Sequence, residues 1–179
     1  MTLELIEHLP ILVCSPYTNK YFLEGVMREE DNIGKILETL EDDYAIETLA
    51  LSDTQYDIND LSDNGAKQRL VEHLEEEKIQ VFVELLISEE DIPIQIDTNN
   101  GLNLRNNTLK EYLGMGDVVV DNNKIDKPYQ LINYVRNKLH IQTLRVTISK
   151  KLLEDTSEEY IADKIYKIAM KNEFKIVQN

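Results

Sequence analysis

The sequence predicts a mixed α/β fold of the α+β class, arranged either as two small, similar β-α-β-α-β lobes or as one domain with a mixed sheet. Three observations carry that expectation. Short Val- and Ile-rich runs with strand alternation recur along the chain, stretches of helical period separate them, and an Asn-rich stretch near the middle divides the pattern in two.

Leu9 to Cys14 reads as a short buried strand bounded by Ser15-Pro16. Phe22, Val26, Ile33, Ile36, Leu37 and Leu40 then recur at helical spacing, with Glu29, Glu30, Glu38 and Glu41 on the solvent side. Asp31-Asn32 is placed to split that stretch into two helices, Asp31 capping the second. Tyr44 to Leu51 alternates as a strand, and residues 52–65 form a polar loop. Ala66, Leu70, Val71 and Leu74 mark a helix whose outer face carries Glu72, Glu75, Glu76 and Glu77. Ile79 to Ile87 is a strand, and Ile92, Ile94 and Ile96 alternate as another.

Thr98 to Asn107, with five Asn and one Gly after Thr98, is the expected linker between an acidic lobe over residues 1–97 and a near-neutral lobe over 108–179. Thr108 to Leu113 reads as a short helix ending at Gly114. Asp117 to Ile125 reads as a hairpin turning at Asn122-Asn123. Pro128 sits in the first turn of a helix carrying Leu131, Ile132, Val135 and Leu139, and Ile141 to Ile148 is a strand. Thr156 and Glu159 form a capping box for a helix carrying Ile161, Ile165 and Ile168, and Phe174 to Val177 closes the chain as a strand.

The charge is unevenly spread. Residues 1–97 hold 24 acids against 6 bases, whereas residues 98–179 hold 10 acids against 13 bases, within a net charge of −15. An apolar content of 42% is too high for disorder, and no apolar run reaches the roughly 20 residues a bilayer span needs. Glu4, Glu7 and His8 precede the first apolar stretch, where a signal peptide wants positive charge, so a cytoplasmic protein is expected. Cys14 is the sole cysteine and reads as a buried small hydrophobe.

Motifs for specific chemistry fail on inspection. Asp97 to Gly101 starts like a calcium loop, but the Gly falls one position early and the last ligand position holds Thr108. Glu75-Glu76-Glu77-Lys78 is a weak match to the acid-x-Lys element of Mg²⁺ nucleases and reads better as a charged helix end. His8, His73 and His140 have no metal-ligand spacing and read as structural. Gly114-Met-Gly116 precedes a strand instead of following one, which excludes a dinucleotide fingerprint. Lys164, Lys167 and Lys171 share a helix face that reads as mixed and solvated. No catalytic residue, metal or cofactor is therefore assigned.

The charge asymmetry leads to the functional expectation. Carboxylates spread over helix faces imitate the phosphate density of nucleic acid, about one charge per 1.7 Å of duplex axis. The chain is expected to be a small acidic interaction protein, not an enzyme. It would inhibit a basic, nucleic-acid-handling partner such as a nuclease, as anti-CRISPR proteins and nuclease-toxin immunity proteins do. The contact residues would be Glu29, Glu30, Glu38, Glu41, Asp42, Asp43, Glu75, Glu76 and Glu77, with no direct nucleic-acid or membrane binding. A Mg²⁺- or Mn²⁺-dependent enzyme or accessory factor of nucleic-acid metabolism, and a structural protein whose acidity serves solubility, are the alternatives.

Overall fold

The computed structural model describes residues 8–17, 19–23, 26–30, 33–51, 58–60, 65–105 and 107–174, with backbone alone described for 19–23 and 26–30. Of the two arrangements expected, the single mixed sheet is the one observed. Its six strands are β1 (Ile11–Ser15), β4 (Glu47–Ala50), β5 (Val81–Ser88), β6 (Ile94–Asp97), β7 (Val119–Val120) and β8 (Gln142–Ser149), in the order β4-β1-β5-β8-β6-β7. The first four in that order run parallel, and β6 runs antiparallel to β8. Because β8 lies between β5 and β6, strands from both halves of the chain interleave.

Central parallel strands are covered on both faces, which is why β1 and most of β8 are buried at every position instead of alternating. The helices α1 (Ile33–Tyr44) and α6 (Glu158–Ala169) cover one face, over Val13, Val83, Leu85, Leu144, Val146 and Ile148. The helices α2 (Gly65–Glu76) and α4 (Leu131–Leu139) cover the other, over Leu12, Cys14 and Phe82. A short helix α3 (Thr108–Leu113) buries Tyr112, whose hydroxyl donates to the Ile168 carbonyl at 2.8 Å.

Four elements differ from expectation. Two antiparallel strands, β2 (Asn19–Leu23) and β3 (Val26–Glu30), stand where a helix is expected. Phe22 and Val26 are four apart, which suits a helical turn, but here they lie on two paired strands, Phe22 opposite Met27 and Val26 opposite Leu23. The expected hairpin at 117–125 is not formed. Val119 and Val120 instead pair in parallel with Gln95 and Ile96, and Asn122 and Asn123 turn their amides onto the sheet. An additional helix, α5 (Lys150–Asp155), follows β8 directly, capped by Ser149. The α6 cap is Ser157, accepting from the Tyr160 N–H, while Thr156 ends α5. The expected closing strand and most of the 52–65 loop lie outside the described residues.

The Asn-rich stretch is hydrogen-bonded into the body. Asn99, Asn100 and Gly101 all adopt positive φ, a backbone that Asn and Gly tolerate best. The Thr98 hydroxyl donates to Asp121 and accepts from the Gly101 N–H. Buried Asn103 donates to the Asn133 side chain at 2.7 Å, and its carbonyl accepts from the Thr143 N–H.

Candidate functional site

From β1 the chain passes to one neighbour, β4, and then returns across β1 to the other, β5. That reversal makes the carboxyl end of β1, beside β5, the switch point where open α/β sheets bind ligands. On the face covered by α2 and α4, the sheet there is polar. Lateral pairing sets Cys14, Glu84, Arg145 and Asp97 in one row across β1, β5, β8 and β6.

Glu84 is fully buried and accepts from the Arg145 Nε–H at 2.6 Å. Its other oxygen accepts from the Asn59 amide at 2.8 Å. Asn59 also donates to the Tyr17 hydroxyl, and its carbonyl oxygen accepts from the Leu131 N–H at the start of α4. Burial works against the Arg145 charge, and the Glu84 carboxylate outweighs it, so the guanidinium stays firmly protonated.

Asp97, beyond Arg145 in the row, accepts from the backbone and side-chain amides of Asn123 at 2.9 and 3.1 Å. Burial is the chief influence on its carboxyl and raises its pKa, against the lowering effect of the Asn123 bonds and the Arg145 charge. Its partner Asn123 also lines an open polar groove of about 320 Å³, with Asn99, Asn100, Asp121, Asn122 and Asp126 among others.

The raised carboxyl has a consequence for stability. A folded-state pKa above the unfolded value means that the folded chain holds this proton more tightly. Asp97 therefore contributes stability that is full below its unfolded pKa and is lost as pH rises through the folded one. Urea unfolding of wild type and Asp97→Asn from about pH 3 to about pH 7 checks this: the difference between them should move in the variant's favour with rising pH. A pH-independent difference would contradict it.

Two nucleophile-bearing neighbours are occupied. The Ser15 hydroxyl donates to the Leu85 carbonyl at 3.1 Å. Burial, and then the Glu84 charge, push the Cys14 thiol far above its ordinary range, as expected of a core cysteine.

The acids singled out from sequence lie elsewhere. Glu38, Glu41, Asp42 and Asp43 are exposed on α1, over one face of the sheet. Glu75 and Glu76 at the end of α2, and Glu77 just after it, are exposed over the opposite face. Glu29 and Glu30 belong to β3, and their side chains lie outside the described residues. The fold does not gather the two described clusters onto one face. Lys164 and Lys167 pair with Asp117 and Asp163, in keeping with a mixed face. Among the described residues, no helix is long and apolar enough to cross a membrane.

No protein-family model and no curated protein matches the sequence. Solved structures do match in fold. A metallo-carboxypeptidase from Pseudomonas aeruginosa is similar over 92% of this chain at 11% identity, with a TM-score of 0.52; the chain spans 55% of that protein's length. Pyrrolidone carboxyl peptidase from Thermus thermophilus is similar over 90% of this chain and 99% of its own, at 12% identity and a TM-score of 0.51. The catalytic domain of an endolysin targeting Clostridia Difficile covers 94% of this chain at 12% identity, with a TM-score of 0.49.

These likenesses correct the expectation of a non-enzymatic, charge-mimicking inhibitor: the chain has a fold that hydrolases carry. The first of them is a metalloenzyme by name. In the row of this chain, Glu84 and Asp97 are already bonded to Arg145, Asn59 and Asn123. Among the described residues, no three His, Cys, Asp or Glu converge there. The row does not fit a metal, and no metal-dependent step is assigned to it.

Proposed function

We propose that the chain is an amide-bond hydrolase of the peptidase type, working at the Glu84–Arg145–Asp97 row. The reading rests on one observation above others: a charged row buried in the middle of the sheet, at the switch point of a peptidase-like fold. Buried charges cost several kcal/mol unless paired, and a hydrophobic triad would fill the same space (roughly 20 kcal/mol is the idealised limit per ion). Their presence at the place where such sheets bind ligands favours a use beyond packing.

In this reading Glu84 and Asn59 hold the Arg145 side chain through Nε, and the terminal N–H groups of its fork bind a carboxylate on the substrate. As a carboxylate, Asp97 takes a proton from the water that adds to the scissile carbonyl carbon, and it returns that proton to the leaving nitrogen as the C–N bond breaks; its raised pKa suits it to both transfers. The similar peptidases lend support by their names, as proteins that cleave peptides.

Release of free amine from a panel of dipeptides, N-acyl amino acids and their carboxamides tests it. Wild type should cleave at least one carboxylate-bearing member and discriminate against its carboxamide. Arg145→Lys keeps the charge but loses the fork, and should raise KM with a smaller effect on kcat. Asp97→Asn should lower kcat about 10²–10⁴-fold. Absence of turnover across the panel, or variants as active as wild type, would overturn the proposal.

A further inference from the structure

At the opposite, amino-terminal end of the parallel strands, three chain segments bring His8, Glu47, Glu77 and His73 together. His8 lies just before β1, Glu47 opens β4, His73 is in the last turn of α2 and Glu77 follows it. Among the described residues, His8, Glu47 and Glu77 form the one group of three whose ligand atoms all lie within 4.8 Å of one another.

The hydrogen bonds fix which atoms face inward. A backbone carbonyl can only accept, so the 2.8 Å contact from His8 Nδ1 to the Leu9 oxygen places a proton on Nδ1. Nε2 is then turned toward Glu77 Oε2 at 3.2 Å and Glu47 Oε2 at 3.5 Å. Glu47 Oε2 is buried and accepts no hydrogen bond. The other Glu47 oxygen is taken by His73 Nε2. Without an ion, Nε2 must carry a second proton to donate to these carboxylates, and two carboxylates with that imidazolium and a neutral His73 still carry a local charge of about −1. A divalent cation takes the place of that proton and offsets the remaining charge.

The spacing is also right for one. A tetrahedral site with bonds of about 2.0–2.1 Å has ligand atoms about 3.3–3.4 Å apart. The two His8 contacts, at 3.2 and 3.5 Å, bracket that edge. The Nδ1–H bond to a carbonyl is the outer-shell partner that metal-binding histidines commonly have, and His73 holds Glu47 in the same way.

We propose that His8, Glu47 and Glu77 bind Zn²⁺, with His73 positioning Glu47 and a water completing the tetrahedron. One nitrogen and two carboxylate ligands suit zinc better than Mg²⁺, which demands octahedral oxygen coordination. The ion fastens the segment before β1 to the edge strand β4 and to the end of α2. It is separate from the Glu84–Arg145–Asp97 row and does not depend on the proposed activity.

Calorimetric titration of the chelator-treated full chain with ZnCl₂, paired with thermal unfolding, tests the site. Wild type should bind about one equivalent and melt at a higher temperature with Zn²⁺ but not with the same concentration of MgCl₂. Glu77→Gln, a change at an exposed position, should fold normally and lose the zinc-dependent shift. His73→Gln should weaken binding about 10–100-fold while leaving the stoichiometry unchanged. A wild-type melting temperature indifferent to Zn²⁺, an equal response to Mg²⁺, or unchanged zinc affinity in Glu77→Gln would each overturn the proposal.

Discussion

Glu84→Ala is expected to lower the free energy of unfolding by about 3–5 kcal/mol, enough to leave a domain of this size marginal. The loss has little to do with the methylenes removed. It comes from Arg145, which is left charged with 13% side-chain exposure and no carboxylate within its row except Asp97. The Asn59 amide loses one of its acceptors at the same time, and Asn59 also holds the first N–H of α4. Urea unfolding of the variant should show the midpoint falling with the m-value unchanged. A loss below about 1 kcal/mol would mean that Arg145 finds water or another anion, and that the row is less closed than its geometry indicates.

The paired replacement Glu84→Leu with Arg145→Met separates stability from use. Removing both charges together leaves no orphaned guanidinium, and such swaps are typically neutral or stabilising by about 1–4 kcal/mol, here set against the Glu84 acceptor that the Asn59 amide still loses. If the double variant is at least as stable as wild type yet inactive on the amide panel, the ion pair is retained for the site and not for the fold. Recovery of stability together with retained activity would count against Arg145 as the substrate anchor.

The architecture was largely readable from periodicity because the buried strands and amphipathic helices obey it. Ile11 to Ser15 and Val81 to Ser88 are largely apolar runs of strand length, Gln142 to Ser149 alternates through Leu144, Val146 and Ile148, and together they form the centre of the sheet. The misreadings came where one spacing serves two structures. Phe22 and Val26 fit a helix as well as two paired strands, and Asp117 to Ile125 has the composition of a hairpin while its valines pair with β6 instead. The site was harder to see. A charge inside an apolar strand was the available signal: Glu84 interrupts Val81-Phe82-Val83 and Leu85-Leu86-Ile87, and Arg145 interrupts Leu144 and Val146. What sequence does not show is that β8 inserts between β5 and β6, which alone brings Glu84, Arg145 and Asp97 side by side. Net charge drew attention to the exposed acids of α1 and α2, although solvated carboxylates are the least specific feature a surface has. The convergence of His8 and His73 on Glu47 is likewise invisible, with the two histidines 65 residues apart.

Lys67→Met is the second change with a large expected effect. Lys67 is 2% exposed, and its ammonium donates to the carbonyls of Asp60 at 2.8 Å and Tyr129 at 2.7 Å, with the Tyr134 ring 5.6 Å away. Methionine preserves the stem but supplies no donor, so both carbonyls lose the Lys67 bond, at about 1–3 kcal/mol each where nothing replaces it. Two effects oppose that loss. Burying methionine avoids the cost of burying an ammonium, and Asp60 is exposed enough to take water in its place. The Tyr129 carbonyl dominates the balance, because it is partly covered, and the net loss should be about 1–2 kcal/mol. The effect reaches the row because Lys67 ties residues 58–60 to the approach to α4, and Asn59 stands between them with Glu84 on one side and the Leu131 N–H on the other. Chemical denaturation should therefore show destabilisation, and hydrogen exchange should show faster opening at the Leu131 amide than at the amides of α6, on the far face of the sheet. Equal protection at both places would mean that Asn59 is held without Lys67, and that the buried ammonium serves the fold alone.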